Sequence, residues 1–227
     1  IEQKVLAMPF PHPSTTIRLS TTSPRVAAVD CLTVERWLRT RGPLPLERSL
    51  DIAAQLLDSF SGAPPAYQLH PSSIVIAGPH KVELLPEPIA SSDATSVAFP
   101  YMAPEVLRGA PAGHPATVYS VGAVLFQMLT GVLPFHAPHA YAMLRRQLED
   151  PPPSLAAFLP NSPSGLDGVL RMALAGDPAH RYNTPSQFRD ALDPFLPSAL
   201  MQTRITRAMP HPRPVPPSPA LAEPSLR

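Results

Sequence analysis

The side chains that most often catalyse reactions or bind metals are few in this chain and widely spaced. The single cysteine, Cys31, excludes an internal disulfide and a cysteine-built metal site, and we expect it to be a small buried apolar residue. His136 and His139 are three residues apart, but the Pro-rich segment around them offers no third ligand at a typical spacing. Serines and histidines are scattered without a nucleophile-elbow pattern. These residues therefore predict neither a metal centre nor hydrolase chemistry.

Composition and charge exclude several classes of protein. The chain has 227 residues, of which 44% are hydrophobic, and its formal net charge is +1. Such a chain can bury a core in one large or two small domains. Nucleic-acid binding and polybasic membrane surfaces need concentrated positive charge, so we expect neither. The 34 prolines and the scarcity of lysine favour GC-rich coding DNA and a bacterial source.

Targeting and membrane segments are not indicated by the sequence. The start, "IEQKVLAMPF", lacks the pattern of a signal peptide, and because it begins with Ile we expect the natural start further upstream. The most apolar stretch, Val118 to Phe135, contains Ser120, Gln127 and Thr130, which fits a buried helix better than a membrane span. We expect a cytoplasmic location, either of the whole protein or of the cytosolic part of a larger one.

Hydrophobic periodicity predicts a mainly helical domain with a little sheet. The first 30 residues read as a helix end and two short strands, and the segment 46–60 has apolar residues at three- and four-residue intervals, typical of an amphipathic helix. The segments "SSIVIAG" and "KVELLP", separated by a Gly-Pro turn, predict a hairpin. Residues 118–130 are apolar nearly all round, so this helix should lie at the centre. Further helices are predicted at 138–149, 165–175 and 185–195, and residues 197–227 read as a Pro-rich disordered tail or linker.

Five short motifs occur in a definite order along the chain: "PHP", "LTVERWLRTRGPLPLERSLDIAAQLLDSF", "YMAPE", "VYSVGAVLFQMLTGVLPF" and "DPAHRYNTPSQFRDAL". In this order they resemble the C-terminal lobe of the eukaryotic-type Ser/Thr protein kinases, over residues 2–195. The resemblance implies an α+β, mainly helical, protein-kinase-like fold with a truncated N-terminal sheet. It divides the chain into an N-lobe remnant (1–30), a C-lobe (31–196) and the tail (197–227).

The resemblance also implies a structural ion pair. In the family, the Glu of the Ala-Pro-Glu motif pairs with a late Arg inside the helical lobe, and these residues correspond to Glu105 and Arg181. A carboxylate inside a protein must be paired with a charge or heavily hydrogen-bonded, and a guanidinium offers two parallel donors. We therefore expect Glu105 and Arg181 to form a buried pair that stabilises the lobe.

Phosphoryl transfer needs residues that the corresponding positions of this chain do not supply. The family's catalytic loop, His-Arg-Asp-x-Lys-Pro-x-Asn, aligns with "AYQLHPSS". Gln68 then stands where the proton-accepting Asp belongs, His70 where the catalytic Lys belongs, and Ser73 where the metal-binding Asn belongs. Gln cannot act as a carboxylate base, and Ser is a poorer Mg²⁺ ligand. The resemblance therefore implies that the catalytic loop is degenerate.

Other family positions lead to the same expectation. Pro86 replaces the Asp of the Asp-Phe-Gly motif, and Glu87 is better explained as an exposed carboxylate than as a displaced metal ligand. Thr117 replaces the Asp that opens the central helix, and Ala98 replaces a substrate-recognising Thr. Positions needed for packing are filled as in the family, whereas positions needed only for chemistry are not. This contrast favours a pseudokinase.

Three functional hypotheses remain open from the sequence. The first is a regulatory or scaffolding module that binds an unidentified protein, for which the mixed apolar and basic face of 138–149 or the segment "RPVPPSP" would be docking elements. The second is an unorthodox ATP-binding Ser/Thr kinase that needs an upstream lobe, with Ala28 and Val29 as the candidate hinge. The third is a remnant without function. Under the first we expect no cofactor, with ATP binding weak or absent.

Overall fold

The computed structural model describes residues 32–63, 69–85 and 99–196. Over these residues the chain forms seven α-helices, one two-stranded sheet and five short 3₁₀ turns. The predicted α+β, mainly helical class is therefore confirmed. The predicted N-lobe remnant (1–30), which contains the candidate hinge, and the Pro-rich tail (197–227) lie outside the described residues.

The predicted helices and the hairpin occur in the predicted order, and the short helix Pro104–Leu107 is an addition that the sequence did not indicate. The helices are α1 (Val34–Arg41), α2 (Leu46–Phe60), α3 (Pro104–Leu107), α4 (His114–Thr130), α5 (Ala140–Glu149), α6 (Leu166–Ala173) and α7 (Pro185–Leu192), and the strands are β1 (Ile74–Gly78) and β2 (Lys81–Leu84).

Helix α4 is the centre of the fold, because its side chains are apolar and buried on almost every side. All residues from Ala116 to Phe126 are buried, and α2, α6 and α7 pack against it. The helix begins beside Pro115, whose missing N–H is not needed in the first turn. It ends at Gly131, whose φ of 78° lies in the left-handed region that glycine tolerates. The other elements are therefore positioned by their contact with α4.

Helix α2 shows how an amphipathic sequence determines its own packing. Leu50, Leu56 and Leu57 are completely buried, and the helix packs against both α4 and α7. Pro45 precedes the first turn, as the Pro at this helix entry predicted. The burial of one apolar face supplies most of the free energy that holds such a helix in place.

The hairpin predicted from "SSIVIAG" and "KVELLP" is confirmed. Strands β1 and β2 are antiparallel, with Ile74 opposite Leu84, and the register shifts between Ile76 and Gly78. Polar side chains of α2 hold this hairpin. Arg48 donates to the carbonyl oxygens of Gly78 and Pro79, at the turn that joins the strands.

A second contact fixes the other strand of the hairpin to α2. The side-chain amide oxygen of Gln55 (Oε1) accepts a hydrogen bond of 3.0 Å from the Val82 backbone N–H. Asp51 orients both of these polar side chains, because it accepts from Arg48 at 2.7 Å and from the Gln55 amide at 2.9 Å. The hairpin is therefore attached to the helical lobe by a continuous polar cluster.

The last helices are slightly shorter than predicted, for a local reason. Helix α7 ends at Leu192, and the following residues form the 3₁₀ turn Asp193–Phe195. Pro194 cannot donate the backbone hydrogen bond that would continue an α-helix. In the described part of the chain, no helix combines the length and the apolar character needed to cross a membrane.

The contact between α4 and α6 is close because α4 carries a glycine there. A Cβ atom built on Gly122 would lie 3.2 Å from the Cβ of Ala173, and the helices could accommodate larger side chains only by moving apart. A Cβ on Gly168, on α6, would contact nothing within 4 Å.

We therefore predict that Gly122→Val destabilises the protein by about 1–3 kcal/mol, the usual effect of overpacking a tight core. The matched control is Gly168→Ala, which should stabilise slightly, because alanine is a better helix former than glycine. Chemical unfolding of both variants measures the two effects. Equal stability of Gly122→Val and the wild-type protein would contradict the tight contact.

Candidate functional site

A buried ion pair joins two segments that are far apart in the sequence. The Arg181 guanidinium donates to both carboxylate oxygens of Glu105, at 2.7 Å and 2.9 Å. The Arg181 side chain is 0% exposed and that of Glu105 is 14% exposed. This bidentate geometry is the strongest that an arginine and a carboxylate can adopt.

The rest of the guanidinium is saturated by backbone carbonyl oxygens. Arg181 donates to Ala175 at 2.7 Å, to Pro115 at 3.1 Å and to Gly176 at 3.1 Å. Its charged group also lies over the ring of Tyr119, 4.9 Å from the ring centre. A buried charge is stable only when its hydrogen-bonding capacity is used in this way.

Local sequence places each partner of the pair. Glu105 lies in the first turn of α3, next to Pro104, where its charge also suits the positive end of the helix. Arg181 follows the 3₁₀ turn Pro178–His180, which Asp177 caps by accepting a 2.9 Å hydrogen bond from the Ala179 N–H. Each position is therefore set by a helical turn that begins with a proline, Pro104 for Glu105 and Pro178 for Arg181.

We predict that Glu105→Ala and Arg181→Ala each destabilise the protein by about 3–5 kcal/mol, because each leaves the other charge buried and unpaired. The double variant should lose much less than the sum of the two, which a double-mutant cycle by chemical unfolding will measure. Independent losses well below 1 kcal/mol would contradict this role. Arg145→Ala is the matched control, since Arg145 is exposed and its pairing with Glu149 should matter little.

The resemblance aligns His70 with the family's catalytic lysine, and in the structure its ring is part of a turn. It is 8% exposed, and its Nδ1 atom accepts a hydrogen bond of 3.1 Å from the Ser72 backbone N–H. The Ser72 hydroxyl lies 2.7 Å from the same nitrogen. The ring also meets Tyr101 edge-on, with 5.1 Å between ring centres. His70 therefore caps the turn Pro71–Ser73 and packs beneath it.

The resemblance aligns Ser73 with the family's metal-binding asparagine, and in the structure its hydroxyl is also engaged in this turn. It is 5% exposed, and the hydroxyl donates to the His70 carbonyl oxygen at 2.7 Å. The Ser73 hydroxyl is therefore buried within the turn, where little of it is accessible to a ligand. Gln68 and Pro86, the other two positions that the resemblance aligns with the family's catalytic residues, lie outside the described residues, as do Glu87 and Ala98.

Two further residues of this region were not identified from the sequence. The Tyr101 hydroxyl donates to the Gln127 side chain at 2.8 Å, and this bond connects the turn Phe99–Tyr101 to α4. Burial raises the pKa of Tyr101 above its usual value, while the bond to Gln127 opposes the rise. The sequence does carry a signal for this contact, because Gln127 is a polar residue in an otherwise apolar helix.

The remaining candidates occupy structural positions. Thr117 is completely buried in α4. His139 is the N-cap of α5, where its Nδ1 atom accepts a hydrogen bond from the Ala142 N–H at 3.2 Å, and His136 is exposed. Among the residues that the structure describes, no cluster of three or more His, Cys, Asp or Glu side chains could hold a metal ion.

The capping role of His70 makes stability depend on pH. Burial lowers the pKa of His70 below its ordinary value of 6.5, although the charge of Glu35 opposes this shift. The folded protein therefore favours the neutral ring. The contribution to stability is complete above the pKa of the unfolded chain and is lost as the pH falls below it, because the unfolded chain then binds a proton more readily.

We predict that the wild-type protein loses stability between about pH 7.5 and pH 5.5 and that His70→Gln loses less, since glutamine does not titrate there. Chemical unfolding of both proteins at the two pH values gives the comparison. The same loss in both proteins would show that His70 is not responsible.

The sequence of this chain is similar to those of known protein kinases. Residues 87–192 match the protein kinase domain. The chain is 27% identical over 192 residues to the serine/threonine-protein kinase PrkC of Bacillus subtilis, an alignment that covers 78% of this chain and 30% of PrkC. It is 27% identical over 175 residues to PknB of Mycobacterium leprae, covering 71% of this chain and 28% of PknB. It is 34% identical over 105 residues to PknJ of Mycobacterium tuberculosis, covering 45% and 18% respectively. The chain thus spans less than a third of these relatives.

Proposed function

We propose that this chain, which belongs to the eukaryotic-type Ser/Thr protein kinase family, is a pseudokinase domain that acts as a regulatory or scaffolding module by binding another protein. The observation that carries the proposal is a contrast between two classes of residue. The residues that hold the fold together, above all Glu105 and Arg181, have family-like types, and the residues that would perform the chemistry do not.

The missing chemistry is specific. A kinase needs a carboxylate to accept the proton of the substrate hydroxyl, and carboxylate and amide oxygens to bind Mg²⁺. This chain offers Gln68, Ser73 and Pro86 at those positions. None of the three carries a negative charge, so none can replace the two aspartates.

The contacts of the described residues support the same conclusion. His70 and Ser73 use their polar atoms within the turn Pro71–Ser73, where the ring accepts a backbone N–H and the hydroxyl donates to a carbonyl. A neutral imidazole offers no oxygen ligand to Mg²⁺, and one neutral, buried hydroxyl is a weaker ligand than the carboxylate and amide oxygens of an active kinase. We therefore propose that metal-dependent ATP binding is weak or absent and that no cofactor is required.

Protein binding is the function that we propose for a stable lobe without phosphoryl transfer. Helix α5 presents Tyr141, 49% exposed, and Leu148, 44% exposed, on its outer face, with Arg145 and Glu149 between and beside them. Exposed apolar side chains among charged ones are typical of surfaces that associate transiently. We propose that the module works in the cytoplasm, and the identity of its partner is a question for experiment.

The proposal is tested on the full-length natural protein by thermal unfolding with ATP, in the presence and absence of Mg²⁺. We expect no metal-dependent rise in melting temperature and no transfer of labelled phosphate to a generic substrate, whereas an active kinase relative treated in the same way should show both. Metal-dependent stabilisation together with phosphate transfer would overturn the proposal in favour of an unorthodox kinase.

A further inference from the structure

Three consecutive prolines follow helix α5 and belong to an extended segment, residues 150–154, which we call the proline segment. Its two ends have the dihedral angles of a polyproline II helix, with φ −86° and ψ 138° at Asp150 and φ −73° and ψ 130° at Ser154. Between them the proline rings fix φ near the polyproline II value. Each of residues 150–152 also precedes a proline, which disfavours the α-helical region. The proline segment is therefore a short polyproline II helix.

Both ends of the proline segment are attached to the helical lobe. The Asp150 N–H donates to the Arg146 carbonyl oxygen at 2.9 Å, which completes the last turn of α5. Directly after the segment, Leu155 is completely buried, and its N–H donates to the Asp167 carboxylate of α6 at 2.5 Å. The segment is thus held in one conformation by the fold. A ligand that is already fixed in its bound conformation loses little entropy when it binds.

The main chain of the proline segment offers hydrogen-bond acceptors and no competing donors. Prolines have no N–H group, and the carbonyl oxygens of residues 151–153 accept no hydrogen bond from any residue that the structure describes. Asp150 and Pro151 are exposed, and Pro152 and Pro153 are half-buried. One side of the segment therefore rests on the lobe, while the other presents proline rings and carbonyl oxygens to solvent.

This combination fits one kind of protein surface. Grooves lined by aromatic side chains bind polyproline II segments, because the rings pack against the prolines and their N–H or O–H groups donate to the carbonyl oxygens. The charge beside the prolines adds a direction. Glu149 pairs with Arg145, whereas the exposed carboxylate of Asp150 begins the proline segment itself. A groove with a basic side chain at one end complements this arrangement.

We propose that the proline segment is the docking site for a partner domain with an aromatic-lined groove that is bordered by a basic side chain. The inference rests on the protein-binding role proposed above and names the class of partner. The segment directly follows α5, whose exposed Leu148 extends the apolar surface next to the prolines.

Nuclear magnetic resonance titration of the full 227-residue chain tests this docking site. The probes are a WW domain and an EVH1 domain, two domain types that bind polyproline II segments in aromatic-lined grooves, and the EVH1 domain is chosen with basic side chains beside its groove. We expect both probes to shift the amide signals of residues 148–150, 154 and 155. A synthetic peptide with the sequence of residues 148–155 should compete with the chain for either probe.

Substitutions separate docking from a purely structural role of the prolines. The double variant Pro151→Ala/Pro152→Ala removes the rings that would fill the groove, so its affinity for both probes should fall about fivefold or more. Pro160→Ala is the matched control, because Pro160 is an exposed proline in a turn outside the proline segment, and it should bind like the wild-type protein. Asp150→Asn should weaken binding to the EVH1 domain at low salt and have no effect at high salt.

Two results would overturn the docking proposal and show that the prolines only stiffen the connection between α5 and α6. One is the absence of shifts in the proline segment with both probes, and the other is equal affinity of the double variant and the wild-type protein. Should the double variant fail to fold, the wild-type titration and the peptide competition decide the question. None of these results bears on the pseudokinase proposal, whose test is metal-dependent ATP binding, and phosphate transfer would overturn that proposal without changing the binding measured here.

Discussion

The structure depends on how a guanidinium is kept inside a helical lobe. Removing a charge from water is expensive, and the cost is offset only if the charge finds a counter-charge and every donor finds an acceptor. Arg181 meets both conditions through Glu105 and three backbone carbonyl oxygens. Since these partners come from α3, from the start of α4 and from the segment before Arg181, the requirement fixes how three parts of the chain meet. Neither regular packing nor helix propensity would specify that arrangement.

Under the pseudokinase role proposed above, the same requirement explains how the fold is kept while the chemistry is lost. Substitution at Glu105 or Arg181 affects folding, and folding is needed for any function that the lobe performs. Substitution at His70 or Ser73 affects folding through the contacts of one turn and of the Tyr101 ring. In a lineage that no longer needs phosphoryl transfer, selection would therefore act on the first group and not on the second. The residue types at these positions follow that division.

Much of the fold could be predicted because its signals are local. An all-round apolar segment marked α4, three- and four-residue spacing marked α2, and a Gly-Pro pair between short strands marked the hairpin. The ion pair was a different case, since no local pattern joins residues 105 and 181. It was expected only because the surrounding motifs resemble a family in which the corresponding residues pair.

Contacts made by single polar side chains over long distances could not be predicted. Nothing near Arg48 indicates that its guanidinium reaches the hairpin turn, about 30 residues away. Likewise, the resemblance aligned His70 with the family's catalytic lysine, and only the structure shows that it caps a turn. Gln147 reads as one polar residue among several on α5, and its burial depends on a neighbouring segment. Such contacts depend on tertiary geometry, which hydrophobic periodicity does not encode.

The carbonyl groups around Arg181 have an evolutionary consequence. Main-chain oxygens are present whatever side chain a residue carries, so positions 115 and 175 can change identity and still accept their hydrogen bonds. Position 176 is different, because the Gln147 backbone carbonyl oxygen lies so close that no side chain larger than the hydrogen of glycine fits there. The surroundings of the Arg181 guanidinium therefore depend mostly on backbone atoms, and only a few positions, such as 105 and 176, need a particular residue type. Related domains could therefore carry different residues at most positions around the arginine and still bind its guanidinium in the same way.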